Sequence, residues 1–193
     1  MKVKFNKKYV KAVEQFVQMR FGDIESIITL DNDSFKFELL HIAPSDVNPY
    51  NIIASAGLSS IKPPVAPDNV LGVEFLIILP KEWVNPHGPD YSDGFVFHIF
   101  EELADILLDN GVIVPGSTVK FEHLKNGTKH NAIVVDIPYF DNAYLSLKKG
   151  DILFFEIQTV HQDEYPLLVH DDGELLKKIM TLPCVDTQRE SLV

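Results

Sequence analysis

Apolar positions along the chain recur with two periods, one near 3.6 residues and one near 2, and the switches between them lay out the elements. The opening stretch is helical. Val10, Val13, Val17 and Phe21 recur at 3-4-4 spacing while Lys7, Lys8 and Lys11 fall mostly off that stripe, so a helix is predicted over 7–20, with Asn6 as N-cap and Gly22 as terminator. Strands are predicted at 24–30 and 35–43, joined by the polar turn Asp31-Asn32-Asp33-Ser34. Two further apolar runs, 51–56 and 71–79, flank a proline loop at 62–67; the second is bounded by Pro80 and reads as a central strand.

The clearest stripe is Val96, Ile99, Phe100, Leu103, Ile106 and Leu107, with Glu101, Glu102, Asp105 and Asp109 mostly outside it. It predicts a helix over 93–109 that Asp93 caps and Asn110-Gly111 stops in the left-handed conformation. Asn126-Gly127 then signals a type I′ hairpin between strands at 119–124 and 130–137. A last strand over 152–160 runs into a helical stretch at 161–180, punctuated by Pro166 and Gly173, and residues 181–193 follow as a tail. Strands and helices interleave without a regular βαβ period. The expected fold is therefore a single-domain α/β protein of the α+β type, a mixed and mainly antiparallel sheet covered by helices.

Composition adds little to the fold but narrows the function. At 193 residues, 46% hydrophobic and 23% charged, the chain matches one globular core. No apolar run reaches the roughly 18 residues of a membrane span, and the basic N-terminus leads into no signal-like apolar segment, so a cytoplasmic, non-membrane protein is expected. The single cysteine, Cys184, rules out an internal disulfide. Net charge is −11, yet residues 1–21 carry +5, which leaves −16 on the other 172 residues. Such a body repels phosphate backbones, so nucleic acid is not an expected partner, whereas a basic protein is.

The search for chemistry finds no enzyme signature. The ten glycines form neither a phosphate loop nor a dinucleotide fingerprint. Ser55, in Ala54-Ser55-Ala56-Gly57, lacks the first glycine of a nucleophile elbow and reads as a small residue in a strand that turns at Gly57. Cys184 has no neighbouring base and is expected in a flexible tail. Counting outward from Asn126-Gly127 pairs His123 with His130 across the hairpin, close enough to share a metal, but no third ligand is evident and two surface imidazoles are the commoner case. Carboxylate pairs such as Asp31/Asp33, Glu101/Glu102 and Asp171/Asp172 define no acid/base dyad. Catalytic, cofactor and metal residues are accordingly none. Candidates for contact with a protein partner are Trp83, as an aromatic anchor, and the acids Asp90, Asp93, Glu101, Asp105, Asp171 and Asp172, expected to be exposed.

The order of motifs resembles the suppressor-of-fused-like domain family, especially its small bacterial members. The resemblance spans about residues 24–180. It rests on His41-Ile42-Ala43-Pro44 at a strand end, the small-residue turn from Ile52 through Ala54-Ser55-Ala56-Gly57 to Ser59, and the long strand closing as Glu74-Phe75-Leu76-Ile77-Ile78-Leu79-Pro80-Lys81-Glu82-Trp83. It continues with Val134-Val135-Asp136-Ile137-Pro138, the strand 152–160, Glu164, and a short helix ending Glu174-Leu175-Leu176-Lys177-Lys178-Ile179. Residues 82–93 depart from the tryptophan-rich stretch of the pattern. The resemblance implies a non-catalytic binding fold. Its animal relatives sequester a transcription factor with the help of a second domain, and that partner's site finds no residue-level match here. Many bacterial relatives are regarded as immunity proteins that neutralise polymorphic toxins. The expected function is thus an intracellular immunity or antitoxin-like protein whose partner is a basic toxin domain. The alternatives are an adaptor that captures an extended peptide on a sheet edge, or a metal-dependent enzyme in which His123, His130 and a carboxylate converge.

Overall fold

The structure is a computed structural model that describes residues 6–31, 33–46, 48–61, 67–83, 94–109, 111–121, 128–138, 143–170 and 173–193. Helix α1 (Lys7–Phe21) begins where the Asn6 side-chain oxygen accepts the Lys8 N–H at 3.2 Å, and it buries Val10, Val13 and Val17. Strands β1 (Ile24–Asp31), β2 (Lys36–Ile42) and β3 (Asn51–Ala56) follow, then a short 3-10 helix (Leu58–Ser60) and β4 (Val70–Leu79). Helix α2 (Phe95–Leu108) precedes β5 (Ser117–Lys120), β6 (His130–Asp136), β7 (Tyr144–Leu147) and β8 (Gly150–His161). The chain ends with α3 (Tyr165–Val169), α4 (Gly173–Met180) and an irregular segment to Val193.

All eight strands join one sheet in the order β1-β2-β3-β4-β8-β6-β5, with β7 beside the first half of β8. Among the described residues only the β4–β8 pair is parallel; the other pairings are antiparallel. These two strands lie at the centre and are almost continuously buried, as strands covered on both faces must be. Alternation sorts their side chains into two layers. Phe75, Ile77 and Leu79 of β4, with Phe155 and Ile157 of β8, face α2, which buries Val96, Ile99, Phe100 and Leu103 against them. Leu76, Ile152 and Phe154 face α1, where Phe16 stacks on Phe154 at 4.7 Å. The same side of the sheet further along, Ala132, Val134 and Val160, is covered by Leu175, Ile179 and Met180 of α4. The α+β reading of a mixed, mainly antiparallel sheet thus holds.

Four details differ from expectation. The N-cap of α2 is Gly94, with no side-chain cap bond, and Asp93 lies outside the described residues. Gly111 does not have a left-handed backbone; it is a glycine of close approach, because a Cβ there would lie 2.5 Å from the Ile106 side chain and 2.6 Å from the Ile106 carbonyl oxygen. The β5–β6 register pairs Lys120 with Ala132, one residue away from the register that pairs 123 with 130, and His123 and the Asn126-Gly127 turn lie outside the described residues. Finally, the tail is fastened to the body. Val185 is buried and its N–H donates to the Ile78 carbonyl at 2.7 Å, while Gln158 Nε2 donates to the Leu182 carbonyl at 3.3 Å.

Candidate functional site

Pairing of β6 with β8 puts His130, at the start of β6, opposite His161, at the end of β8. Their rings meet edge to face with centroids 5.6 Å apart, and both side chains are buried. Beyond β8 the chain turns so that Glu164, wholly buried, points back at the strand end, where Oε2 accepts the His161 N–H at 2.8 Å. The terminal segment closes the site. Arg189 lays its guanidinium fork on Glu164, Nη1 to Oε1 at 2.6 Å and Nη2 to Oε2 at 2.7 Å, and Nη2 also donates to the Thr159 carbonyl at 3.0 Å. The Leu192 N–H gives Oε1 a further bond at 2.9 Å. Charge-assisted, bidentate geometry of this kind is the strongest form of ion pair a protein makes.

The electrostatics follow from this packing. Burial pushes the Glu164 carboxyl up, but the Arg189 fork and the N–H groups of Leu192 and His161 more than offset it and hold the group below its ordinary range. Burial and the nearby Arg189 cation push His130 down from 6.5 to about 4, so its imidazole is neutral at neutral pH. The hydrogen bonds then assign its proton. Nε2–H donates to the Arg189 carbonyl at 3.4 Å, leaving Nδ1 to accept the Thr159 hydroxyl at 2.9 Å. His161 Nδ1 accepts the Asp163 N–H at 3.2 Å. Between the terminal segment and the body lies an open cavity of about 440 Å³. Thr128, Lys129, His161 and Asp163 line it from the body; Thr187, Gln188, Arg189, Glu190, Ser191 and Val193 line it from the segment.

A second buried carboxylate serves a different purpose. Glu74 of β4 is fully buried and surrounded by neutral donors. Oε1 accepts the N–H of Gly57 at 2.8 Å, the N–H of Ser59 at 3.0 Å and the Ser59 hydroxyl at 2.6 Å; Oε2 accepts the Leu58 N–H at 3.3 Å and the Ser55 hydroxyl at 2.5 Å. Gly57 turns its N–H into this ring at a φ of 124°, a conformation that side chains rarely adopt. Burial raises the Glu74 pKa, against the pull of the Ser55, Ser59 and Gly57 hydrogen bonds. Ser55 also accepts the Phe75 N–H at 2.8 Å, so its hydroxyl is committed on both sides and sealed from solvent. A third network holds His41 through Asn51, whose side-chain oxygen lies 2.8 Å from His41 Nε2 and whose amide donates to the carbonyls of Pro80, Lys81 and Trp83.

Of the sequence-predicted contact residues, Trp83 is half-buried against the α2-side core and meets His41 edge to face at 5.7 Å. Its indole N–H is buried without a hydrogen-bond partner among the described residues. Glu101 is half-buried and Asp105 exposed, one turn apart on α2. Asp90, Asp93, Asp171 and Asp172 lie outside the described residues. Cys184 is partly buried; burial, then Asp186 and Glu82, push its thiol up, away from the reactive thiolate. Among the described residues no group of three or more His, Cys, Asp or Glu side chains is placed to hold a metal. His130 instead faces His161, a pairing across β6 and β8 that local spacing does not reveal. Arg189 was missed as well. Its partner is 25 residues away, and no local pattern marks it.

No family model matches the sequence, and no curated protein matches it. Solved structures do. A suppressor of fused homologue from Neisseria gonorrhoeae superposes with a TM-score of 0.70 at 16% identity, over 97% of this chain and 98% of the other. The chain has the suppressor-of-fused fold. A chain of the Sufu–Fu complex gives a TM-score of 0.63 at 12% identity, over 99% and 93%. Drosophila Suppressor of Fused gives 0.57 at 14% identity, over 88% of this chain and 44% of that longer one. Within this suppressor-of-fused fold, the polar residues of the sequence resemblance have a physical explanation. His41, Ser55, Ser59, Glu74 and Glu164 are all buried and hydrogen-bonded. They fasten strand ends and turns.

Proposed function

We propose that this chain is a non-catalytic protein-binding domain that acts by direct, stoichiometric contact with a protein partner. The observation that carries the reading is the shared architecture, over 99% of this chain, with a chain crystallised in the Sufu–Fu complex. The state of its reactive groups supports it. The Ser55 hydroxyl is sealed and doubly bonded, the Cys184 thiol is pushed up, and the His130 imidazole is neutral with both nitrogens engaged. A nucleophile needs an exposed atom and a free base, and these groups offer neither.

Within that class, the chain serves as an intracellular immunity protein that masks a basic toxin domain. A net charge of −11 favours this partner, because opposite fields speed encounter before a toxin can act. The second reading is an adaptor that captures an extended peptide, favoured by β1, an eight-residue edge strand paired only with β2 among the described residues. Co-expression with the product of the neighbouring gene, followed by isolation of a complex, tests the first. A one-to-one complex whose association slows strongly as salt rises to about 0.5 M is the expected result. Recovery of a covalently altered partner, with protection by trace amounts of this chain, would refute the non-catalytic reading.

A further inference from the structure

The terminal segment, residues 186–193, is held in an unusual way for part of a fold. It has no regular secondary structure. Among the described residues its polar ties to the body centre on Arg189 and Glu164: the two Arg189–Glu164 bonds, Arg189 Nη2 to the Thr159 carbonyl, the Leu192 N–H to Glu164, and His130 Nε2 to the Arg189 carbonyl. Its main apolar tie is Leu192 against the cluster of Val134, Val160 and Leu175. Beside these anchors an open cavity of about 440 Å³ lies between the segment and the body. An irregular segment held by an arginine in a carboxylate socket and a leucine three residues on is bound as a peptide ligand is bound.

We propose that residues 186–193 are an exchangeable intramolecular ligand, and that the Glu164 socket with the α4-side apolar cluster is a receptor for a partner segment of pattern Arg-x-x-Leu. This deepens the protein-binding reading and rests on it for the identity of the partner. The socket is built to receive an arginine whatever its source. Glu164 is wholly buried and aimed by the His161 N–H, and the Thr159 carbonyl waits at the position of the second guanidinium nitrogen. Both acceptors belong to the body of the domain. A partner segment that supplies its own arginine and leucine can therefore displace residues 186–193 without disturbing the sheet.

The test uses the full chain and a fluorescent peptide of residues 186–193 as probe. Arg189→Ala empties the socket in cis, and this variant should bind the peptide at least about tenfold more tightly than the intact chain does, following the general cost of a competing bound state. Leu192→Ala loosens the segment while leaving the ion pair in place, and it should give a smaller gain in the same direction. A peptide with alanine for arginine should bind none of the three proteins. Both variants are checked by near-ultraviolet circular dichroism. A folded Arg189→Ala chain that takes up the peptide no better than the intact chain would overturn the proposal. So would equal binding of the alanine peptide, or loss of the native fold in both variants, which would make the segment an integral part of the core. The probe is the chain's own sequence, so the result stands apart from capture of a foreign protein. Tail exchange with no partner complex would count against the protein-binding reading alone.

Discussion

Among the described residues two glutamates, Glu74 and Glu164, are wholly buried, and they are stabilised by opposite means. Glu74 sits among neutral donors that come from the adjacent strand and turn, 15 to 19 residues away in sequence. Glu164 is met by a full positive charge from residue 189, in a segment outside the sheet. Burial dominates at Glu74 and raises its pKa, while the guanidinium and its companions win at Glu164 and lower it. The lesson is that a buried charge need not have one role. Glu74 ties β3, the 3-10 helix and β4 together and cannot let go without unfolding them; Glu164 ties the body to something that can leave.

The largest effect should come from Glu74→Ala. It strands the N–H groups of Gly57, Leu58 and Ser59 and two hydroxyls in the interior and leaves a void besides. Each orphaned buried donor costs about 1–3 kcal/mol, so a loss of at least about 4 kcal/mol is expected in urea unfolding, close to the tolerance of a marginally stable domain. Arg189→Ala should cost less. Breaking a buried ion pair typically costs about 3–5 kcal/mol, but here the adjoining cavity can admit water to Glu164, and a loss nearer 2 kcal/mol is expected. In a double-mutant cycle, Glu164→Gln with Arg189→Ala should fall well short of the sum of the single losses, because the two side chains act as a unit. Additivity there would mean that the ion pair does not hold the segment.

A further effect is a pH dependence. His130 has a folded pKa depressed to about 4 from 6.5, so the contribution of its neutral form is complete above 6.5 and is lost as pH falls through 4. Glu164, also depressed, keeps its contribution above the ordinary carboxylate range and loses it as pH falls through its lower folded value. Glu74 has the opposite sign: its raised pKa gives a contribution that is fullest below the ordinary value and fades as pH rises through the folded one. In urea unfolding the intact chain should therefore lose more stability between pH 6.5 and 4 than His130→Asn does, a difference that separates His130 from the opposing contribution of Glu74. An equal loss in the two proteins would place His130 in water in the folded state.

How much of this was legible in the sequence depends on the range of the interaction. Val10, Val13 and Val17, and the α2 stripe from Val96 to Leu107, declared their helices because the signal repeats within a few residues. The apolar runs of β4 and β8 declared strands for the same reason, that of β4 a central one, although the central place of β8 and their parallel pairing, across about 80 residues, did not show. Ser55, Glu74 and Glu164 stood within recognisable motifs, yet nothing local said that Glu74 would be met by hydroxyls and amides or that Glu164 would be met by Arg189. Acidic residues on a helix surface, such as Glu101 and Asp105, carry no pattern that separates a contact from a solvated face. The tail was read as loose because it lacks periodicity. Its order comes from long-range ties, Val185 to the Ile78 carbonyl and Arg189 to Glu164.

The distinction between the two carboxylates is tested most directly by native-state hydrogen exchange on the intact chain. The Gly57 and Ser59 amides report the Glu74 ring, and the Leu192 amide reports the Glu164 socket. If the terminal segment opens while the sheet stays closed, the Leu192 amide should exchange about a hundredfold faster than the other two, after correction for intrinsic rates, and Arg189→Ala should accelerate Leu192 further while leaving Gly57 and Ser59 much slower. Equal protection at all three amides, lost together in the variant, would show that the segment and the core are one cooperative unit and would contradict the account.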